Sequence, residues 1–348
     1  MTWSRRRFLA SVALAVASRP ALARTRTVTD SAGRKVTISD RVTRILPAGP
    51  PASILVFAVA PEALVGWTSA FRPAERPFVP ARYADLPVLG RLTGRGNTAN
   101  VETVLAAKPD VVIDYGTVNE TYASLADRVQ QQTGIPYLLV DGRFDGIPDA
   151  CVTIGDLVGA RQAAGDWVRY TNATLAEVSA RVSRIPQDRR PRVYYARGPR
   201  GLETARPGAI NIETLERLGA INAAADLGPG GLAQVSIEQV LRWNPEVIVT
   251  IDPNFFEAVW RDPLWQGVSA VRSGRVHLAP GVPFGWIDFP PSVNRLIGLR
   301  WLARVLYPDA FPEELRPAVR DFYTRAYHQT PSDAQLDTLL ATSERRRT

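Results

Sequence analysis

One stretch of fourteen residues occurs twice in the chain. Asn100-Val101-Glu102-Thr103-Val104-Leu105-Ala106-Ala107-Lys108-Pro109-Asp110-Val111-Val112-Ile113 aligns without a gap with Ser236-Ile237-Glu238-Gln239-Val240-Leu241-Arg242-Trp243-Asn244-Pro245-Glu246-Val247-Ile248-Val249. In both copies a polar residue stands at a helix cap, Glu falls in the first turn, and a Val-Leu pair follows. The cap and the early carboxylate satisfy the free N–H groups and the positive end of a helix. Proline then stops the helix. The unbroken β-branched run after it suits a parallel strand buried on both faces. A single such passage is common in α/β chains. Fourteen positions in register argue for a duplicated lobe, and their wide separation excludes a solenoid.

Around the copies, strands and helices alternate, as in parallel α/β sheets. Strands are expected at Val42–Pro47, Leu64–Trp67, Val111–Tyr115 and Tyr137–Val140, then at Arg192–Ala196, Val247–Ile251 and Val276–Leu278. Between the two halves, no proline occurs from Pro148 to Pro186, although the chain has 28 prolines. Apolar residues recur there at helical spacing, from Ile154 through Trp167 to Val182. One helix of about 36 residues, ~54 Å long, is expected over 148–185. Gly155, Gly159 and Gly165 leave two consecutive helices open as the alternative. The expected organisation is therefore a lobe over 24–147, the bridge, and a second lobe over 186–348.

The N-terminus has a different character. Ser4-Arg5-Arg6-Arg7-Phe8-Leu9, the apolar run to Ala17 and Ala21-Leu22-Ala23 have the form of a twin-arginine export signal over 1–23. The apolar run is too short to span a bilayer, which takes about 18 residues or more. Export by the twin-arginine translocase to the periplasm is expected, as a soluble product. The formal charge of +8 (42 basic, 34 acidic) falls to +4 once residues 1–23 are set aside, since they hold four arginines and no acid. That is too mild to argue for nucleic acid. The lone Cys151 excludes an internal disulfide.

Several further segments carry a resemblance. Thr29-Asp30-Ser31-Ala32-Gly33-Arg34-Lys35-Val36 looks like a D-x-x-G-R-x-V hairpin, and Val42-Thr43-Arg44-Ile45 like the R-I-V strand that follows it. Pro61-Glu62-Ala63-Leu64-Val65-Gly66-Trp67, the block Asn100–Ile113, and Ile212–Asn222 complete the series, with Ala220 replacing a usual glycine. In this order they resemble the periplasmic binding proteins of ABC importers for iron-siderophores, haem and cobalamin, over about residues 27–340. The resemblance implies two Rossmann-like lobes with mainly parallel sheets, bridged by a single long helix, and a ligand cleft between them. It implies a monomeric receptor without cofactor that captures a metal chelate, a ferric siderophore first, and docks on a membrane permease. Corrinoid, haem and metal-oxyanion binding, or a non-transport sensor of the same fold, are the alternatives. Glu102 and Glu238 occupy the positions that pair with transporter arginines; the plainer reading of both is a first-turn helix acid.

In such folds ligands bind outside the carboxyl ends of the strands. That selects Gly49, Pro50, Trp67, Arg95 and Tyr115 from the first lobe, and Tyr194, Tyr195, Arg197, Arg206, Phe284 and Trp286 from the second. Aromatic rings with guanidinium groups suit a large anionic chelate. A Trp or Tyr beside a strand is more often a core residue than a ligand wall, so the expectation rests on the collection and, within it, on Tyr195, Arg197, Arg206 and Trp286. The Phe284-Gly285-Trp286 loop either faces the cleft or packs on the sheet. With only His277 and His328 and one Cys, no metal-ligand cluster is expected, so a metal would arrive already bound. No nucleophile-base pair, G-x-S-x-G elbow or phosphate loop supports an enzyme.

Overall fold

The computed structural model describes residues 24–94, 96 and 98–344. The export signal expected over 1–23 and the candidate ligand residue Arg95 lie outside the described residues. The first lobe is built on a parallel sheet in the order Ile45–Pro47, Val111–Gly116, Tyr137–Asp141. The second has four parallel strands in the order Val276–Leu278, Val247–Thr250, Arg192–Ala196, Ile221–Asn222. An antiparallel pair, Glu203–Ala205 with Leu232–Gln234, lies beside the second sheet. The expected strand over Leu64–Trp67 reduces to two isolated bridges, Ile45 to Leu64 and Trp67 to Val88.

The N-terminal hairpin, Thr25–Thr29 with Lys35–Ser39, covers the open edge of the first sheet. The Ser31 N–H donates to the Leu139 carbonyl at 2.9 Å, and Asp30 accepts from the Leu139 N–H at 3.2 Å. Arg34 reaches the Tyr137 carbonyl. An exposed strand edge is a site for unwanted pairing, and this turn blocks it.

The duplicated block folds the same way twice. The helices Val101–Ala107 and Ile237–Trp243 are capped by Asn100, which accepts from the Thr103 N–H at 2.9 Å, and by Ser236, which accepts from the Gln239 N–H at 3.3 Å. Both end on a left-handed residue, Lys108 at φ 45° and Asn244 at φ 40°. The acid after each proline then ties down the start of the neighbouring strand. Asp110 accepts from the Thr43 and Arg44 N–H groups at 2.7 and 3.0 Å, and Glu246 from the Arg192 N–H at 3.2 Å. This also explains why the first strand begins at Ile45 and not at Val42: the N–H groups before it are committed to a carboxylate.

The bridge differs from the single helix expected over 148–185. It is two helices, Ile147–Val158 and Arg161–Val182, separated by Gly159 at φ 78°. Glycine enters that left-handed conformation at the least cost, so the chain stops one helix there and starts another. The first helix belongs to the first lobe. The second, 22 residues and ~33 Å long, makes the crossing. Trp167 anchors it, donating its ring N–H to the Ala58 carbonyl at 3.0 Å.

The C-terminal boundary also differs. The helix Leu315–Tyr327, expected within the second lobe, packs on the first-lobe helix Pro50–Val59. Tyr323 meets Phe78 edge-on at 5.6 Å, and a ring nitrogen of His328 lies 2.8 Å from the Phe57 carbonyl oxygen. The last helix, Asp333–Glu344, is tied to the first lobe by Gln335, which donates to the Pro77 carbonyl at 3.2 Å. The core is continuous across both lobes.

Candidate functional site

The strands of both sheets direct their carboxyl ends to one edge, where the lobes meet. From the first lobe, the strand Ile45–Pro47 runs into Gly49, the N-cap of the helix Pro50–Val59. Gly49 is obligatory there. A Cβ on it would lie 2.6 Å from the Thr93 hydroxyl oxygen. That hydroxyl donates to Asp114 at 3.1 Å, and the Tyr137 hydroxyl donates to the same carboxylate at 3.0 Å. Burial raises the Asp114 carboxyl to about 6, against the pull of these two hydrogen bonds. Gly49 offers no side-chain cap, and the two prolines that follow it have no N–H, so the Ala52 N–H is the first backbone donor at this positive helix end.

The second lobe contributes a buried ionic cluster. Arg197 is only 6% exposed and bonds Glu203 at 2.9 Å on one side and Asp288 on the other. The Tyr195 hydroxyl donates to Asp288 at 2.7 Å, and Asn211 donates to the other oxygen at 2.9 Å. Burial pushes the Tyr195 hydroxyl up to about 12, so it remains a donor at any physiological pH. Asp288, Asn211 and Glu203 were not selected from sequence. The local signal for Asp288 was its place in the Phe284–Pro291 loop.

The other sequence candidates take definite places. Trp286 is fully buried and donates its ring N–H to the Tyr323 hydroxyl at 2.9 Å, which gives it the core position of the two open readings. Tyr115 and Tyr194 are buried as well, and burial pushes both hydroxyls far up. Tyr194 donates to the Gly201 carbonyl at 2.8 Å. Arg206 holds the 227–230 loop through the Leu227 and Gly228 carbonyls. Phe284 packs across the lobe boundary on Trp67, with ring centres 5.9 Å apart. Gly49 and Pro50 join the strand Ile45–Pro47 to the helix Pro50–Val59. One large side chain in the Phe284–Pro291 loop does reach solvent: Phe289, 68% exposed and at φ 59°.

Two contacts stitch the edge together. The Ser292 hydroxyl donates to the Pro51 carbonyl at 2.8 Å. Arg295 has no exposed side-chain surface; it pairs with Glu213 at 2.8 Å, donates to the Gly142 carbonyl, and lies 4.5 Å over the Phe144 ring. Glu213 in turn accepts from the Phe144 N–H at 3.1 Å. Glu102 and Glu238 are far from this chemistry in sequence, each exposed in the first turn of its helix.

Among the described residues, no group of three or more His, Cys, Asp or Glu is placed to hold a metal ion. Burial pushes the Cys151 thiol up to about 12, which removes it as a nucleophile at neutral pH. No helix among the described residues is long and apolar enough to cross a membrane.

A model of periplasmic binding proteins matches residues 53–283. The chain belongs to the periplasmic binding protein family. A solved ABC transporter solute binding protein from Sulfurospirillum deleyianum is 30% identical with a TM-score of 0.81, covering 91% of this chain and 99% of that one. The molybdate-binding protein MolA of Haemophilus influenzae is 29% identical over 87% of this chain and 91% of its own length. Its molybdate-bound structure superposes with a TM-score of 0.73 over 88% and 99% of the two chains. A cobalamin-binding protein of Halobacterium salinarum is 28% identical over 64% of this chain and 57% of its own. The family carries the two-lobed α/β fold and the solute-binding role in ABC import; its members differ in ligand.

Proposed function

We propose that the protein is the periplasmic receptor of an ABC importer for a small metal oxyanion of the molybdate type. The observation that carries this reading is the occupancy of the edge between the lobes. A chelate the size of a siderophore or corrinoid needs a cavity of about 300–1,000 Å³ walled by accessible apolar and aromatic groups. Here Trp67, Tyr115, Tyr194, Tyr195 and Trp286 are all 3% exposed or less. Arg197 is held by two carboxylates, and the lobes are bonded across the edge by Ser292 and Arg295. A tetrahedral oxyanion needs little space and a few N–H or hydroxyl donors. Since Pro50 and Pro51 have no N–H and the Ser53 N–H bonds the Gly49 carbonyl, the helix end supplies the Ala52 N–H, and further donors would come from side chains at this edge. The likeness to a molybdate-binding relative points the same way. This moves the ligand from the ferric siderophore expected from sequence to the oxyanion that stood among the alternatives.

Titration calorimetry of the purified protein against molybdate, tungstate, sulfate, a ferric hydroxamate and cobalamin tests the ligand. Saturable heat with molybdate or tungstate alone is expected. Saturable heat with the hydroxamate or cobalamin instead reverses the assignment. The same reading has Glu102 and Glu238 docking on transporter arginines, with export through the twin-arginine translocase. Charge reversal at both glutamates is then expected to abolish uptake and leave calorimetry unchanged; normal uptake removes the docking role.

A further inference from the structure

Comparison of the two copies within the chain isolates which surface positions are held in common. Over Val101–Pro109 and Ile237–Pro245 the pattern of burial is the same at every one of nine positions. Val104 and Val240 face the core, and the prolines are buried. Four positions in each copy are exposed: Glu102, Leu105, Ala106 and Lys108 in the first, and Glu238, Leu241, Arg242 and Asn244 in the second. Two of these positions have drifted, Ala against Arg and Lys against Asn. The other two are identical, Glu and Leu. They lie three residues apart, hence on one side of the helix.

An exposed Glu has a local explanation, since it favours the positive end of its helix. The leucines have no such electrostatic role; Leu241 lies against Gly267, where an added Cβ would come within 2.7 Å of its Cδ2, yet still leaves much of its side chain in solvent. Leu105 is 46% exposed and Leu241 37%, which places them among the few large apolar side chains left in solvent. Lys, Arg, Gln or Glu would support a helix there about as well and would be better solvated. The left-handed end of the first helix uses the Leu105 carbonyl, but neither cap nor helix end involves a leucine side chain.

We propose that Leu105 and Leu241 are paired docking residues, each forming with its neighbouring glutamate one of two matched contact points for the membrane permease. This rests on the docking reading given above and extends it from charge to shape. The partner it fits carries two equivalent sockets, each with a cationic group beside an apolar recess. The leucine fills the recess and the carboxylate meets the cation. Because burial of an apolar side chain is insensitive to ionic strength, the leucine contact persists in salt that screens the charge pair.

Right-side-out inner-membrane vesicles from the native host, mixed with the fluorescently labelled full chain, give the test as a saturable binding curve. Leu105→Ser and Leu241→Ser are each expected to weaken binding about fivefold, and the double variant about 25-fold. Ala106→Ser and Arg242→Ser, at the drifted positions, are expected to leave it within twofold. The melting temperature and the heat of ligand binding should not move in any of these variants. In 0.5 M salt the loss caused by the serines should remain, while that caused by Glu102→Gln with Glu238→Gln should shrink. If the double serine variant binds like the parent while the double glutamine variant binds weakly, docking stands and the leucine role is overturned. If neither variant differs from the parent, or the parent itself does not bind, both are overturned.

Discussion

Arg295 and Glu213 form an ion pair of 2.8 Å with side-chain exposures of 0% and 7%. The same guanidinium donates to the Gly142 carbonyl of the opposite lobe. The pair therefore does two things: it neutralises a buried charge, and it fixes the position of one lobe on the other. A hinge needs residues free to absorb rotation, and this edge has few. Scattering profiles with and without ligand are expected to be nearly the same.

Removing one partner exposes the cost of the other. Glu213→Gln leaves Arg295 buried without its carboxylate and is expected to destabilise by about 3–5 kcal/mol. Chemical denaturation with unchanged slope measures this. A loss under about 1 kcal/mol would mean that solvent reaches the guanidinium.

Asp114 gives a pH dependence of definite sign. The folded chain holds this proton up to about 6, while the ordinary value is 3.8, so the native state binds more protons between them. Stability contributed by this group is complete below the lower value and is lost as pH rises through the upper one. Asp114→Asn has no such titration. Relative to the parent it should gain about 2–3 kcal/mol between pH 4 and pH 7.5. Denaturation curves at the two pH values check it, and a constant difference would disprove the shift.

The two left-handed helix ends provide a matched pair. Lys108→Gly relieves a strained conformation and is expected to stabilise by about 0.5–1 kcal/mol. Asn244→Gly relieves the same strain but loses the bond in which Asn244 accepts from the Ser269 N–H at 2.9 Å. Its net effect should be near zero or destabilising. Thermal melts of the two variants decide between them.

Arg197 and Phe289 separate structure from surface. Arg197→Ala strands Glu203 and Asp288 in the interior and should cost about 3–5 kcal/mol in the ligand-free protein. Phe289→Ala removes a mostly exposed ring and should stay within about 0.5 kcal/mol. Melting temperatures without ligand are sufficient to compare them.

Much of the fold was legible because its signals are local. The duplicated block, the hairpin at Asp30–Arg34 and the β-branched strands each carry their own cap, turn or pattern. The α/β class and the family follow from their order. The split in the bridge was signalled by Gly159, but apolar spacing runs on through it, and periodicity alone does not show a single left-handed residue. What could not be read was how side chains at the strand ends are used. Tyr195, Arg197, Trp286 and Arg206 fit a ligand wall and a packed interior equally well, and only contacts distant in sequence, such as Asp288 with Arg197, tell the two apart. Asp114 gives no local signal because it sits at the end of an apolar run, Val111-Val112-Ile113. The return of Leu315–Tyr327 to the first lobe leaves no local trace at all.

That return has a consequence for synthesis. Phe57 and Phe78 gain their contacts with His328 and Tyr323 only after residues 315–328 are made, so one face of the first lobe stays uncovered while the ribosome is still making the second. A nascent chain of two hundred residues would expose this apolar face to whatever surrounds it. The two lobes are repeats in architecture, but the last helices complete the first only after the second is made, and a chain cut short before residue 315 should leave the apolar face of Pro50–Val59 exposed.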